Sequence, residues 1–417
     1  MKRREFVTVS ALLALMASSP LHAAKKQTAQ KTTSKPAAPA KSGKKKTTKP
    51  ASPGKPTTSR AAPAAAVTES EAMPASETPR STINAISLPD EPIAQWRPYD
   101  LRTTIALKNI NGRTRLWLPL VQYRDTPWER SLGHQWQGNF QTAGIYRDPV
   151  ADMEVFYADW PEGATEQKLE IVSHIATQDR HFDITRRTGA VERTEILRRC
   201  LRSTELVPTD GIVRRTAERA IGRVKDPLAQ GKAIYDWVVE NARYDPQAKL
   251  SGAGNIARFL EDGHLAGRSV DISLLFVGLC RSVGIPARPV FGLRMDRSRL
   301  FGSLGADGEL NAAQHCRAEL YSPGYGWVPV DPSDVRRAIQ SENLSHADPK
   351  LNVLKKLLFG FWEMNWVGFN AAQDVVLQGG DGKPLPFLTG PVVESGEGRF
   401  DNSTGGQFDY SVSAQRT

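Results

Sequence analysis

The sequence predicts an α+β protein: an antiparallel β-sandwich domain followed by a second domain in which a buried helix accompanies a β-hairpin. Three patterns carry this reading. Residues 96–184 alternate in strand fashion, residues 209–243 change to helical spacing, and residues 269–331 join a strongly apolar helix pattern to a strand–turn–strand pattern.

Two segments ahead of the folded part cannot contribute to a core. Met1-Lys2-Arg3-Arg4-Glu5-Phe6 leads into an apolar stretch from Val7 to Met16 and small residues ending at Ala23. Residues 1–23 therefore read as a signal peptide, and the paired arginines followed by Phe6 resemble the twin-arginine type, whose cargo crosses the membrane already folded. A periplasmic or otherwise exported location is expected. No transmembrane helix is expected after signal removal, because no other segment offers about 20 uncharged apolar residues. Residues 24–92 collapse to Ala, Lys, Pro, Thr and Ser and are expected to form a disordered tether.

The net charge of +10 sits in these segments. Up to Asp90 the chain carries 15 basic and 5 acidic residues, which leaves 40 of each from Glu91 onward. A neutral folded part removes the argument for a nucleic-acid partner that the pI near 9.5 would otherwise make. The Lys-rich tether suits peripheral contact with the cell envelope, each Lys near an anionic surface being worth about 1 kcal/mol. A solvated spacer fits the same composition.

The β-sandwich is expected over 93–204. Its clearest runs are Thr104–Leu107, Thr114–Leu118, Met153–Ala158 and Leu169–Val172, separated by the turn signals Asn111-Gly112, Gly138-Asn139 and Pro161-Glu162-Gly163. Trp117, Trp128, Trp136 and Trp160 could line a carbohydrate groove, but aromatics in a small sandwich more often fill its core.

A helix is predicted to start at Asp226-Pro227, and Ile234, Trp237, Val238 and Ala242 fall on one of its faces. A second helix begins at Ser269. Its apolar positions Ile272, Leu275, Phe276, Leu279, Cys280 and Val283 recur at helical spacing, which predicts one buried face; Gly284 and Pro286 end it. Ser269 thus stands at the positive end of a core helix. A strand over 287–292 follows.

In His315-Cys316-Arg317-Ala318-Glu319-Leu320-Tyr321 small and apolar residues alternate with polar ones, so His315 and Cys316 point to opposite faces. After the turn at 322–326 comes Trp327-Val328-Pro329-Val330-Asp331. Pairing Tyr321 with Trp327 sets Arg317 opposite Asp331 and makes His315 its diagonal neighbour, about 7–8 Å away between Cα atoms, near enough for the carboxylate to orient the imidazole. Residues 341–417 are expected to be a C-terminal extension packing on the core, with Trp362 and Trp366 sharing a helix face and a last strand near Phe408–Val412.

Gly267-Arg268-Ser269-Val270-Asp271, Gly284-Ile285-Pro286-Ala287-Arg288, Gln314-His315-Cys316-Arg317-Ala318-Glu319 and Gly324-Tyr325-Gly326-Trp327-Val328-Pro329-Val330-Asp331-Pro332 resemble, in order and spacing, the motifs of the transglutaminase-like superfamily. The resemblance implies a papain-like fold for residues 205–340, with a β-domain of the kind that often precedes such bacterial cores. It assigns the nucleophile position to Ser269, where the family has cysteine, the general base to His315 and the orienting carboxylate to Asp331.

The exchange matters because a thiol at a helix N-terminus beside an imidazole ionises before substrate arrives, whereas a hydroxyl must lose its proton during attack. The reading preferred on this ground is a pseudoenzyme derived from cysteine amide-acyl hydrolases or transferases, with catalysis lost or strongly reduced. The alternative is an active Ser269-His315-Asp331 amide hydrolase. Peptide or peptidoglycan stem amides are the ligand class that the envelope location suggests. No cofactor is implied. His174, His181, His264 and His346 share no ligand spacing, so no metal site is expected.

Three cysteines, an odd number, predict no disulfide framework. Cys280 lies about 16 Å along the helix from Ser269, and both it and Cys316 read as buried small hydrophobes. Cys200 sits among arginines with no evident base. The loop 296–312 is a candidate wall of the cleft beside His315 or a mobile surface loop.

Overall fold

The computed structural model describes residues 95–122, 124–148, 151–248, 255–401 and 408–417, all within one compact unit. The signal peptide and tether expected over 1–92 lie outside the described residues.

Strands β1 (Arg97–Lys108), β2 (Thr114–Pro119), β3 (Glu129–Gly138), β4 (Thr142–Asp148), β5 (Met153–Trp160) and β6 (Glu166–Thr177) form the first layers. The alternation is literal in β1, which buries every second residue. Leu107, Leu116, Phe156, Trp160 and Ile171 meet between two sheets as the sandwich core. Trp117 and Trp160 are buried, as core aromatics should be, whereas Trp136 is 41% exposed. Trp128 lies under the guanidinium of Arg180 at 3.9 Å.

After the short β7 (Arg180–His181) come α1 (Thr194–Arg199), α2 (Gly211–Ile221) and α3 (Pro227–Asn241). The Asp226 side chain caps α3 by accepting from Ala229 N at 2.9 Å, with Pro227 at the first helical position. A parallel bridge joins β8 (Arg243–Tyr244) to β9 (Ala266–Gly267), with α4 (Ile256–Glu261) between them in sequence. Then follow α5 (Ser269–Ser282), β10 (Ala287–Arg294), β11 (Gln314–Ser322), β12 (Gly326–Val330), α6 (Pro332–Ser341) and α7 (Pro349–Leu357). Helix α5 exceeds the expected one-sided burial: every residue except Asp271 is buried. Gly278 makes this possible, since a Cβ there would stand 2.0 Å from Ile256 Cδ1.

The hairpin has the register expected from sequence, with Tyr321 opposite Trp327 and Ala318 opposite Val330. The C-terminal extension differs from expectation in two ways. It does not simply pack on the core. Strand β13 (Phe361–Trp362) pairs with β7, and β14 (Trp366–Asn370) extends the core sheet to the order β12-β11-β10-β14. Strand β15 (Val392–Ser395) joins β2 and β16 (Gly398–Asp401), and β17 (Phe408–Arg416) pairs with β1, so the sandwich sheets run β16-β15-β2-β5-β4 and β17-β1-β6-β3. The tail covers sheet edges that the earlier strands leave open.

Trp362 and Trp366, moreover, do not share a helix. They stand on β13 and β14 with ring centroids 5.7 Å apart. The chain breaks between them and the two strands belong to different sheets, a break that the spacing of four residues does not reveal.

Candidate active site

Ser269 is the first residue of α5, whose N-terminal turn is fixed by Asp271 accepting from Arg268 N at 2.9 Å. Burial pushes the Asp271 carboxyl up to about 6. Gly267 lies directly over this contact: a Cβ there would fall 2.6 Å from the Asp271 Cβ. Ser269 Oγ accepts from Cys316 N at 3.3 Å, and Ser273 Oγ donates to Cys316 O at 2.8 Å, so α5 is tied to β11 on either side of that residue.

His315 projects from β11 to Asp331, its Nε2 lying 2.8 Å from Asp331 Oδ2. Asp331 closes β12 and caps α6. Its Oδ1 accepts from Asp334 N at 2.9 Å and from Ser333 Oγ at 2.8 Å. The same local chemistry that starts α3 at Asp226-Pro227 starts α6 at Asp331-Pro332, and here it also aims a carboxylate at an imidazole.

Sequence reading missed the second carboxylate and its guanidinium. Asp334 Oδ1 lies 3.5 Å from His315 Nε2, and Arg294 on β10 forms a buried ion pair with Asp334. Arg317 Nε is 3.3 Å from Asp331 Oδ2, its Nη1 donates to Glu363 O at 2.9 Å, and its guanidinium lies between the rings of Trp362 and Trp366 at 5.5 and 4.7 Å. The Asp334 signal was its position three residues beyond a helix cap. The Arg294 signal was absent, because its partner is 40 residues away.

Burial, together with the charge of Arg294, holds the His315 imidazole below its ordinary value despite Asp334 and Asp331 pulling the other way. For Asp334, burial works upward, yet Arg294 first and His315 next hold the carboxyl well below the usual range. His315, Asp331 and Asp334 bring their ligand atoms within 4.8 Å of one another. Two carboxylates facing two guanidiniums leave no excess negative charge for a cation there, so the set fits an oriented neutral imidazole better than a metal centre.

Ser269 and His315 open on one cleft of about 600 Å³, with Asp331 behind the imidazole. Among the described residues, no hydrogen bond joins Ser269 to His315. Since Nε2 faces Asp331, the ring atom left for Ser269 is Nδ1. The loop 296–312 contributes Asn311 and Ala312 to the cleft, and it is tied down by Ser298 Oγ donating to Glu363 at 2.6 Å. The tail contributes the opposite wall through residues 385–392, where Phe387 stacks on Phe291 at 5.1 Å. Cys200, Cys280 and Cys316 are free and buried, and burial raises all three thiols.

Ser269 at the N-terminus of α5 and the His315–Asp331 pair thus share one cleft. Residues 214–332 match the model of the transglutaminase-like superfamily. An uncharacterized protein of Haemophilus influenzae is 34% identical over 295 residues, covering 66% of this chain and 78% of that one. The chain belongs to the transglutaminase-like superfamily. The crystal structure of "a putative cysteine protease from Cytophaga hutchinsonii" is similar in fold, at 15% identity and TM-score 0.52, covering 77% of this chain and 91% of that one.

Proposed function

We propose that the chain is an exported member of the superfamily that keeps the geometry of an amide-acyl hydrolase or transferase while its turnover is strongly reduced or lost, because Ser269 stands where the nucleophilic cysteine would be. In this reading Ser269, His315 and Asp331 occupy the nucleophile, base and orienting positions. The observation that carries it is the state of the hydroxyl: it accepts from Cys316 N and makes no hydrogen bond to His315 among the described residues. Serine needs a base strong enough to take its proton during attack, and His315 is made a weaker base by burial and Arg294. A cysteine would not face the same demand, since the helix N-terminus favours its thiolate.

Peptide amides of the cell envelope, peptidoglycan stems included, are the ligand class. The tether of residues 24–92 would let the folded part reach them from an anionic surface. The second reading, an active Ser269-His315-Asp331 hydrolase, is favoured by the intact 2.8 Å contact between His315 and Asp331.

Hydrolysis of a peptide-amide library by native, Ser269→Ala and Ser269→Cys proteins separates the readings. The proposal expects turnover only from the cysteine variant, at least about 100-fold above the native protein, in line with what activation of a nucleophile contributes. Native activity lost in the alanine variant would instead establish the serine hydrolase. Export is tested by the N-terminus of protein recovered from the periplasm, expected near residue 24.

A further inference from the structure

The cleft carries positive charge that the catalytic arrangement does not use. Arg268, the residue before Ser269, and Arg337 on α6 both line it. Several buried and half-buried arginines elsewhere are compensated. Arg294 pairs with Asp334, Arg180 and Arg288 share Glu319, and Arg299 pairs with Asp179 and Glu363. Arg281 and Arg336, which lack a carboxylate, donate to the carbonyls of Ala287, Arg202 and Val239.

The two cleft arginines differ. Among the described residues, the Arg268 guanidinium forms no ion pair, its buried Nε has no hydrogen-bond partner, and the carboxylate whose charge it feels is Asp271, behind it at the first turn of α5. Arg337 donates Nη1 to the Tyr244 hydroxyl at 3.3 Å and stacks 5.4 Å from that ring, without a carboxylate. Among the described residues that line the cleft, Arg268 and Arg337 stand with one carboxylate, Asp401. Both arginines are half-buried, and a carboxylate that accepts two parallel N–H groups is the partner that suits a guanidinium best. Across the cleft floor the stacked Phe291 and Phe387, with Leu388, offer apolar surface.

We propose that this cleft selects peptide amides bearing a free carboxylate close to the reacting amide, the carboxylate being held by Arg268 and Arg337 while an apolar portion lies on Phe291 and Phe387. The proposal rests on the reading of the Ser269 cleft as the peptide site. It goes further by naming the group that the substrate must carry.

The test is calorimetry on the full chain at pH 7 and low salt, with acetyl-trialanine and its C-terminal amide as a matched pair. The carboxylate form should bind at least about 10-fold tighter. Arg268→Gln and Arg337→Gln should each reduce that preference, and the double variant should abolish it. Arg337→Lys should restore part of it if the charge, rather than the packing, is read. In the Ser269→Cys protein the carboxylate peptide should also slow iodoacetamide alkylation of the introduced thiol more than the neutral amide does. Equal affinities in the native protein, saturable binding by neither peptide, a preference that survives the double variant, or binding without thiol protection would each overturn the proposal. Failure of the catalytic reading looks different: the preference and the protection persist, and the cysteine variant still does not hydrolyse amides.

Discussion

At the scale of single residues, the site is an imidazole held by two carboxylates that are themselves held by two guanidiniums. Strand alternation and the hairpin register placed His315 beside Asp331, helical periodicity placed Ser269 at a helix start, and the family resemblance is what singled out the three together. Asp334 and Arg294 were not legible, since their pairing depends on α6 meeting β10 across the core. The lowered imidazole has a thermodynamic consequence. As pH falls, the unfolded chain takes up its histidine proton first, near 6.5, while His315 in the folded chain titrates lower. The stability this group contributes is therefore complete above about 6.5 and is lost as pH falls from there toward the folded value, with a slope of at most about 1.4 kcal/mol per pH unit. Urea unfolding at pH 7.5 and 5.5 should show a larger loss for the native protein than for a His315→Asn variant. Equal losses would mean that the imidazole titrates alike in both states.

At the scale of elements, the strands and helices read from periodicity correspond to β1, β2, β5, β6, α3 and α5, and the hairpin register follows from its turn. The tail was misread because its strand partners are distant in sequence: Trp366 pairs with Arg294, Val393 with Leu116 and Val412 with Thr103. Between β11 and β14 one position decides the fit. Gly292 on β10 pairs with His315 on one side and Gly368 on the other, and a Cβ there would lie 2.0 Å from Val367 O and 2.4 Å from the Trp366 ring. The obstacle is backbone, which cannot rotate away. Gly292→Ala should therefore cost about 3 kcal/mol and displace His315. Thermal melting reads the first effect, and loss of iodoacetamide reactivity at the thiol of a Ser269→Cys, Gly292→Ala double variant reads the second. An unchanged melting temperature would show that β10 and β14 can separate without penalty.

At the scale of the whole molecule, the sandwich and the core share a buried polar seam. Glu129, at the start of β3, accepts from Gly368 N of β14 at 3.0 Å, its other oxygen has no partner, and Arg317 and Arg180 lie near it. Burial pushes its carboxyl up to about 8, outweighing the amide and the two arginines. A folded value raised above the unfolded one near 4.3 means that the folded chain keeps a proton the unfolded chain releases. Stability from this group is full below about 4.3 and falls as pH rises toward about 8. Glu129→Gln keeps an acceptor for Gly368 and removes the titration, so the variant should exceed native stability by about 2–4 kcal/mol at pH 8 and match it near pH 4.5. Denaturant midpoints at the two pH values decide the matter, and parallel profiles would refute it.

By itself the sequence determined the α+β class, the helix headed by Ser269, and the ribbon that brings His315 to Asp331, because each rests on periodicity, caps and turns within a few tens of residues. Tertiary structure alone decided where the tail strands go, which arginine answers which carboxylate, and that residues 385–392 wall a cleft lined by Arg268 and Arg337. These depend on which distant surfaces meet when the sheets close. Local spacing carries no record of that.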